Sequence, residues 1–214
     1  MQLMTESVIF DCDGVLVDTE LVANGVLAGL ISEMGIPTTL EDAMSTYMGR
    51  SWASCLEIVE RKLGAPAPDD FRERYKAGVL AAWKQELLPV PGVVDALDAI
   101  SLPMCVASSG ERERIRLTLE LVGLLDRFEG RLFTANEVAN GKPAPDLFLH
   151  AAARMGFEPA ATVVVEDTVP GVLAGRAAGM RVLAFARFIA ADDLNAAGGE
   201  VFEDMSDLPR LLGR

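Results

Sequence analysis

Val8-Ile9-Phe10-Asp11-Cys12-Asp13-Gly14-Val15-Leu16-Val17-Asp18-Thr19 runs from a short apolar stretch straight into two aspartates and a glycine. Such a run, bounded by Asp and Gly, reads as a buried strand that ends in a turn. Side chains alternate along an extended chain, so Asp11 and Asp13 point to one side and Cys12 to the other. Two carboxylates that share a site repel each other unless a proton or a cation intervenes, and a hard cation such as Mg²⁺ prefers oxygen ligands. A polar turn closing a strand uses the same residues, so the segment by itself leaves both readings open. It is not an EF-hand loop, whose glycine stands sixth, whereas Gly14 comes fourth.

Further along the chain, Met104-Cys105-Val106-Ala107, Leu132-Phe133, Val163-Val164-Val165 and Val182-Leu183-Ala184-Phe185 repeat the short apolar run. Helical spacing separates them, with Ile115, Leu119 and Val122 in one interval and Phe148, Ala152 and Met155 in the next. The pattern predicts an α/β protein with a parallel sheet and crossover helices. Residues 18–86 break that rhythm with helical patterns alone. Val22, Val26 and Leu30 mark one helix; Trp52, Leu56, Val59 and Leu63 a second; Phe71, Tyr75 and Val79 a third. Pro37 and Ala65-Pro66-Ala67-Pro68 punctuate them, and Pro89, Pro91 and Gly92 mark the return to strands. The expected organisation is a core of 1–17 and 87–214 with a helical insertion at 18–86.

Composition narrows the chemistry. Of 214 residues, 50% are hydrophobic and 24% charged, which fits a globular chain with a sizeable core. Thirty-two acidic residues against 19 basic ones leave a net charge of −13, which disfavours both phosphate-backbone and anionic-membrane partners. With one histidine, His150, catalysis must lean on carboxylates. Cys12, Cys55 and Cys105 form no CxxC pair, and neither a membrane span nor a leader pattern is visible. A full-length cytoplasmic protein is expected, with monomer or homodimer left open.

A second acidic pair, Glu166-Asp167, follows the Val163 strand as Asp11 follows the Val8 strand. Parallel strands put both pairs on the carboxyl edge, where open α/β sheets bind ligands. Ser108-Ser109-Gly110 ends a third strand just before a helix, bringing hydroxyls and backbone N–H groups together, as an anion site or as an ordinary N-cap. Lys142 lies in Asn140-Gly141-Lys142-Pro143-Ala144-Pro145-Asp146, where it could reach a phosphate or simply face solvent. Walker A and GxGxxG signatures are absent.

Taken in order, Asp11 to Glu20, the Ser108 strand end, Gly141-Lys142-Pro143 and Val165-Glu166-Asp167 resemble the four motifs of the haloacid dehalogenase-like superfamily. The insertion after the first motif resembles the C1 cap of its branch of phosphoglycolate and sugar-phosphate phosphatases and phosphoglucomutases. The resemblance implies a Rossmann-like core with helices on both faces, an inserted cap domain, and Mg²⁺-dependent hydrolysis of a small phosphorylated metabolite. It makes Asp11 the nucleophile that becomes an aspartyl phosphate and Asp13 the acid and base. Ser108 and Lys142 would hold the transferring oxygens. The metal site would comprise Asp11, the Asp13 carbonyl and Asp167, with Glu166 helping to place the ion or its waters. Thr19, Glu20, Ser109, Arg50 in Met48-Gly49-Arg50-Ser51-Trp52, and Arg112 are the candidate substrate contacts.

Departures from relatives sharpen the expectation. Haloacid dehalogenases and phosphonoacetaldehyde hydrolases lack an aspartate at the position of Asp13, which argues against those reactions. Phosphoglucomutase members carry a cap histidine where this chain has Ala23, which makes a phosphomutase the alternative rather than the leading reading. His150 lies outside all four motifs and reads as structural or surface. The segments around Ser108 and Glu166 look most like members acting on sugar phosphates or on phosphorylated sugar acids such as 6-phosphogluconate. A non-enzymatic phospho-switch also gathers acids, a hydroxyl and a lysine on a parallel sheet, yet it leaves the helical insertion unexplained.

Overall fold

A computed structural model describes residues 4–213. In chain order the elements are β1 (Ser7–Phe10), α1 (Thr19–Glu33), α2 (Leu40–Tyr47), α3 (Trp52–Leu63), α4 (Phe71–Glu86), α5 (Val93–Ala99), β2 (Met104–Ser108), α6 (Arg112–Leu121) and α7 (Leu125–Phe128). They continue with β3 (Leu132–Thr134), α8 (Asp146–Met155), β4 (Thr162–Glu166), α9 (Val169–Ala177), β5 (Arg181–Phe185), α10 (Ala191–Ala196), β6 (Glu200–Phe202) and α11 (Leu208–Leu211). The chain divides into two compact units, Asp18–Leu88 and the remainder.

Among the described residues of the larger unit, six parallel strands lie in the order β3-β2-β1-β4-β5-β6. Central strands covered on both faces must be apolar throughout, and Val8, Ile9 and Phe10 are fully buried. Ile9, Cys105, Ala107, Val164, Val182 and Ala184 share one cluster with Leu147, Phe148 and Ala151 of α8 and Val172 and Ala174 of α9. Phe10 meets Phe128 of α7 edge to face at 6.2 Å between ring centres. The sheet order reverses direction at β1: the chain steps outward to β2 and β3, then returns to β4 on the other side. The carboxyl ends of β1 and β4 are thereby neighbours, with Phe10 paired to Val165, and the crevice beyond them is where such sheets take ligands.

The smaller unit is entirely helical. Leu27, Ala28 and Ile31 of α1, Ala43 and Tyr47 of α2, Cys55 and Val59 of α3 and Phe71 of α4 form its core. The Trp52 ring stacks on Tyr75 at 5.1 Å and leans on Phe71 at 5.5 Å. Helix α2 was not among the helices expected from periodicity. It is short, and its start is set by a capping box in which Thr39 and Asp42 satisfy each other's backbone N–H groups. Asp18 N donates to Leu88 O at 3.0 Å, so the two ends of the unit are tied side by side. No helix among the described residues is long and apolar enough to cross a membrane.

Candidate active site

Beyond β1 the backbone continues to pair, since Asp11 N donates to Val165 O at 2.9 Å, and then it folds sharply. Leu16 N and Val17 N both donate to Cys12 O, and Gly14 N donates to Val17 O at 2.9 Å. This turn needs a left-handed residue, which Gly14 supplies at φ +77°. A second constraint acts on the same glycine: a Cβ on it would overlap the Asp167 carboxylate. The DCDG turn and the end of β4 are therefore in contact through a missing side chain. Cys12 points the other way into the core, within 4.0 Å of the Thr118 hydroxyl, and burial pushes its thiol far up.

Lys142 joins the two acidic strand ends. Its Nζ donates to Asp11 Oδ1 at 2.6 Å, to Glu166 Oε1 at 2.6 Å and to Ala107 O at 3.2 Å. An ammonium has three N–H groups, and all three are used. The charge also lies 4.8 Å from the Phe148 ring centre, and the side chain is only 6% exposed. Burial pushes the Asp11 carboxyl up to about 7; Lys142 pulls against that shift, while Glu166 and Asp13 add to it. Burial works against the Lys142 charge too, but the two carboxylates outweigh it and hold its pKa above the ordinary lysine range.

Glu166 is fully engaged. Its Oε2 accepts from Asp167 N and Thr168 N at 2.8 Å and from Thr168 Oγ1 at 2.9 Å, which leaves Oε1 for Lys142. Thr168 in turn caps α9 through Gly171 N. Both oxygens of Glu166 thus serve protein partners, which makes it a holder of Lys142 and of the 167–168 turn.

Ser108, 1% exposed, closes β2 beside the Ala107 carbonyl that Lys142 uses, and its Oγ accepts from Gly110 N at 3.2 Å. Ser109 is exposed on the same turn. Arg112 is drawn elsewhere, to Glu137 Oε1 at 2.8 Å, in a surface network that includes His150 at 3.2 Å from Glu137 Oε2. The residue that does reach Asp13 is Arg114, whose Nη2 pairs with Oδ2 and whose Nη1 lies 3.3 Å from Oδ1. Arg114 was not among the residues expected from the sequence. Its spacing from Gly110 was the available signal, since residues four apart on a helical path share a side.

In the helical unit, Thr19 is buried at the start of α1. Glu20 and Arg50 line a cavity of about 430 Å³ with Asn24, Trp52 and Tyr75. Asn24 Nδ2 donates to Glu20 Oε2 at 3.3 Å, and Arg50 Nε donates to Thr46 O at 2.8 Å.

Comparison with known proteins agrees with this architecture. Residues 5–179 match the family model described as haloacid dehalogenase-like hydrolase. A 6-phosphogluconate phosphatase of Escherichia coli strain K12 is 32% identical over 84% of this chain and 82% of its own. Among solved structures, a conserved haloacid dehalogenase-like protein of Agrobacterium tumefaciens is 35% identical, with a TM-score of 0.88 over 98% of both chains. A haloacid dehalogenase family hydrolase of Deinococcus radiodurans, crystallised with phosphate and sodium, is 29% identical, also with a TM-score of 0.88, over 98% of this chain and 95% of that one.

Proposed function

The chain belongs to the haloacid dehalogenase-like hydrolase family and is a phosphatase of that family, and from this premise we propose that it hydrolyses a phosphorylated sugar or sugar acid through an aspartyl phosphate on Asp11. The observation that carries the reading is the Lys142 ammonium, held at 2.6 Å from both Asp11 and Glu166 on the carboxyl edge of β1 and β4. A buried cation there keeps the carboxylate nucleophile in place and makes the edge receptive to an anion.

Mg²⁺ fits the residues present. The donors are all oxygen, and the Asp167 carboxylate occupies the space that a Cβ on Gly14 would fill, against the DCDG backbone. Among the described residues no three histidine, cysteine or carboxylate side chains could hold a metal by themselves. Asp11 and Asp167 together with the Asp13 carbonyl would hold the ion, while Glu166 stays on Lys142. When bound, Mg²⁺ would screen the repulsion between a carboxylate nucleophile and an anionic phosphate.

The chain's own groups then account for both steps. An Asp11 oxygen forms a bond to phosphorus as the bond to the sugar oxygen breaks, and Asp13 gives that oxygen a proton. Asp13 next takes a proton from a water that attacks the same phosphorus, which frees phosphate and restores Asp11. The Lys142 charge offsets that of the transferring oxygens, and the Ser108 hydroxyl, which only accepts from Gly110, has a proton to donate to them.

Phosphate release from a panel of phosphorylated sugars and sugar acids, with Mg²⁺ and with chelator, tests the proposal. Release should require Mg²⁺, and acid-quenched protein should carry phosphate on Asp11. A folded Asp11→Asn variant that still turns over would falsify the mechanism.

A further inference from the structure

The acid and base role demands that the Asp13 carboxylate be aimed, yet the residue lies on a turn and its side chain is 23% exposed. Its partner comes from 101 residues away. Arg114, in the first turn of α6, presents two guanidinium nitrogens to the two oxygens of Asp13. The path of that side chain depends on Gly110, because a Cβ there would stand 2.6 Å from Arg114 Nη2 and 3.2 Å from Cζ. The guanidinium thus lies across a residue with no side chain, on its way from α6 to the DCDG turn.

We propose that Arg114 is a positioning residue for Asp13, fixing the plane of the acid/base carboxylate, and that Gly110 provides its passage. The inference rests on the phosphatase reading above. A planar fork gripping both oxygens restrains rotation of the carboxylate in a way that a point charge does not. Arg114 reaches both oxygens, so it sets the plane in which the carboxylate meets the leaving oxygen. Proton transfer needs heavy atoms within about 3 Å, and misplacement by about 1 Å can cost about 10²-fold.

A tie that merely stabilises α6 against the turn would slow all substrates alike, whereas an aiming device would not. Formation of the aspartyl phosphate, read by kcat/KM, needs a proton donor when the leaving oxygen is an alkoxide and scarcely needs one when it is a nitrophenolate. The experiment compares p-nitrobenzyl phosphate with p-nitrophenyl phosphate in this chain with Mg²⁺, using Arg114→Met, Arg114→Lys and Gly110→Ala. Arg114→Met should lose about 10²-fold in kcat/KM on the benzyl ester and less than about fivefold on the nitrophenyl ester. Arg114→Lys should recover part of the benzyl activity, and Gly110→Ala should reproduce the selective loss although it removes no charge. Equal losses on both esters, or no loss, overturn the inference while leaving the phosphatase reading intact. A wild-type chain that releases phosphate from neither ester, nor from the sugar phosphates, overturns both.

Discussion

Gly171 sits directly beneath the Glu166 carboxylate, so closely that a Cβ on it would overlap the carboxylate carbon and both oxygens. Glu166 is the acceptor for Lys142 and for the 167–168 turn, so the absence of one methyl group on α9 determines where the site's cation stands.

Gly171→Ala should therefore push Glu166 off Lys142 and cost about 1–3 kcal/mol, the usual range for overpacking. Urea unfolding measures it, and phosphatase activity should fall with stability. An alanine variant as stable and active as the parent would show that Glu166 has another place to go.

Gly14→Ala meets two obstacles, a φ of +77° and the Asp167 carboxylate. The backbone term alone is about 1–2 kcal/mol. Because Asp167 must move, the Mg²⁺ concentration for half-maximal activity should rise by about 10- to 100-fold, as for other disturbances around ligands. Titration of activity with Mg²⁺ reads this directly.

Lys142→Met keeps much of the side-chain volume and removes the charge. Asp11 and Glu166 would then be buried without their cation, a change worth about 3–5 kcal/mol in broken buried pairs. The variant should melt well below the parent and show no measurable turnover. Lowering the pH should narrow the stability gap, because protonation of the carboxyls relieves the repulsion.

Asp11 makes a signed pH prediction for protein in chelator. Its folded pKa of about 7 stands above the ordinary aspartate value of 3.8, so its contribution to folding is fully present below that lower value and is lost as pH rises through about 7. Asp11→Asn cannot ionise and escapes that loss. Thermal melting from pH 4 to 8 should show the variant gaining on the parent as pH rises. A variant that loses ground to the parent as pH rises would mean that Lys142, rather than burial, governs Asp11.

The parallel sheet was legible because its central strands are buried on both faces and so read as short, nearly unbroken apolar runs. Edge strand β6 escaped notice because its three residues, Glu200–Phe202, alternate too briefly to show a period. Helix α2 hid for a related reason, its start resting on the Thr39 and Asp42 cap rather than on an apolar stripe. Motif order could bring Asp11 and Glu166 to neighbouring strand ends, since strand direction is a property of connectivity. It could not say which arginine near the start of α6 turns toward Asp13. That depends on the rotation of the helix about its axis, which sends Arg112 to Glu137 and Arg114 across Gly110.

The hydrogen bond from Asp18 N to Leu88 O has a consequence for how the chain folds. Val8 must pair with Met104, a closure that spans the whole helical insertion. Long loops raise the entropic cost of first contact, and distant pairings slow folding. An insertion with its own core and with hydrogen-bonded ends shortens that long loop to the length of a turn wherever it is formed. The chain entropy that separates β1 from β2 is then set by the few residues outside those ends rather than by the whole helical unit.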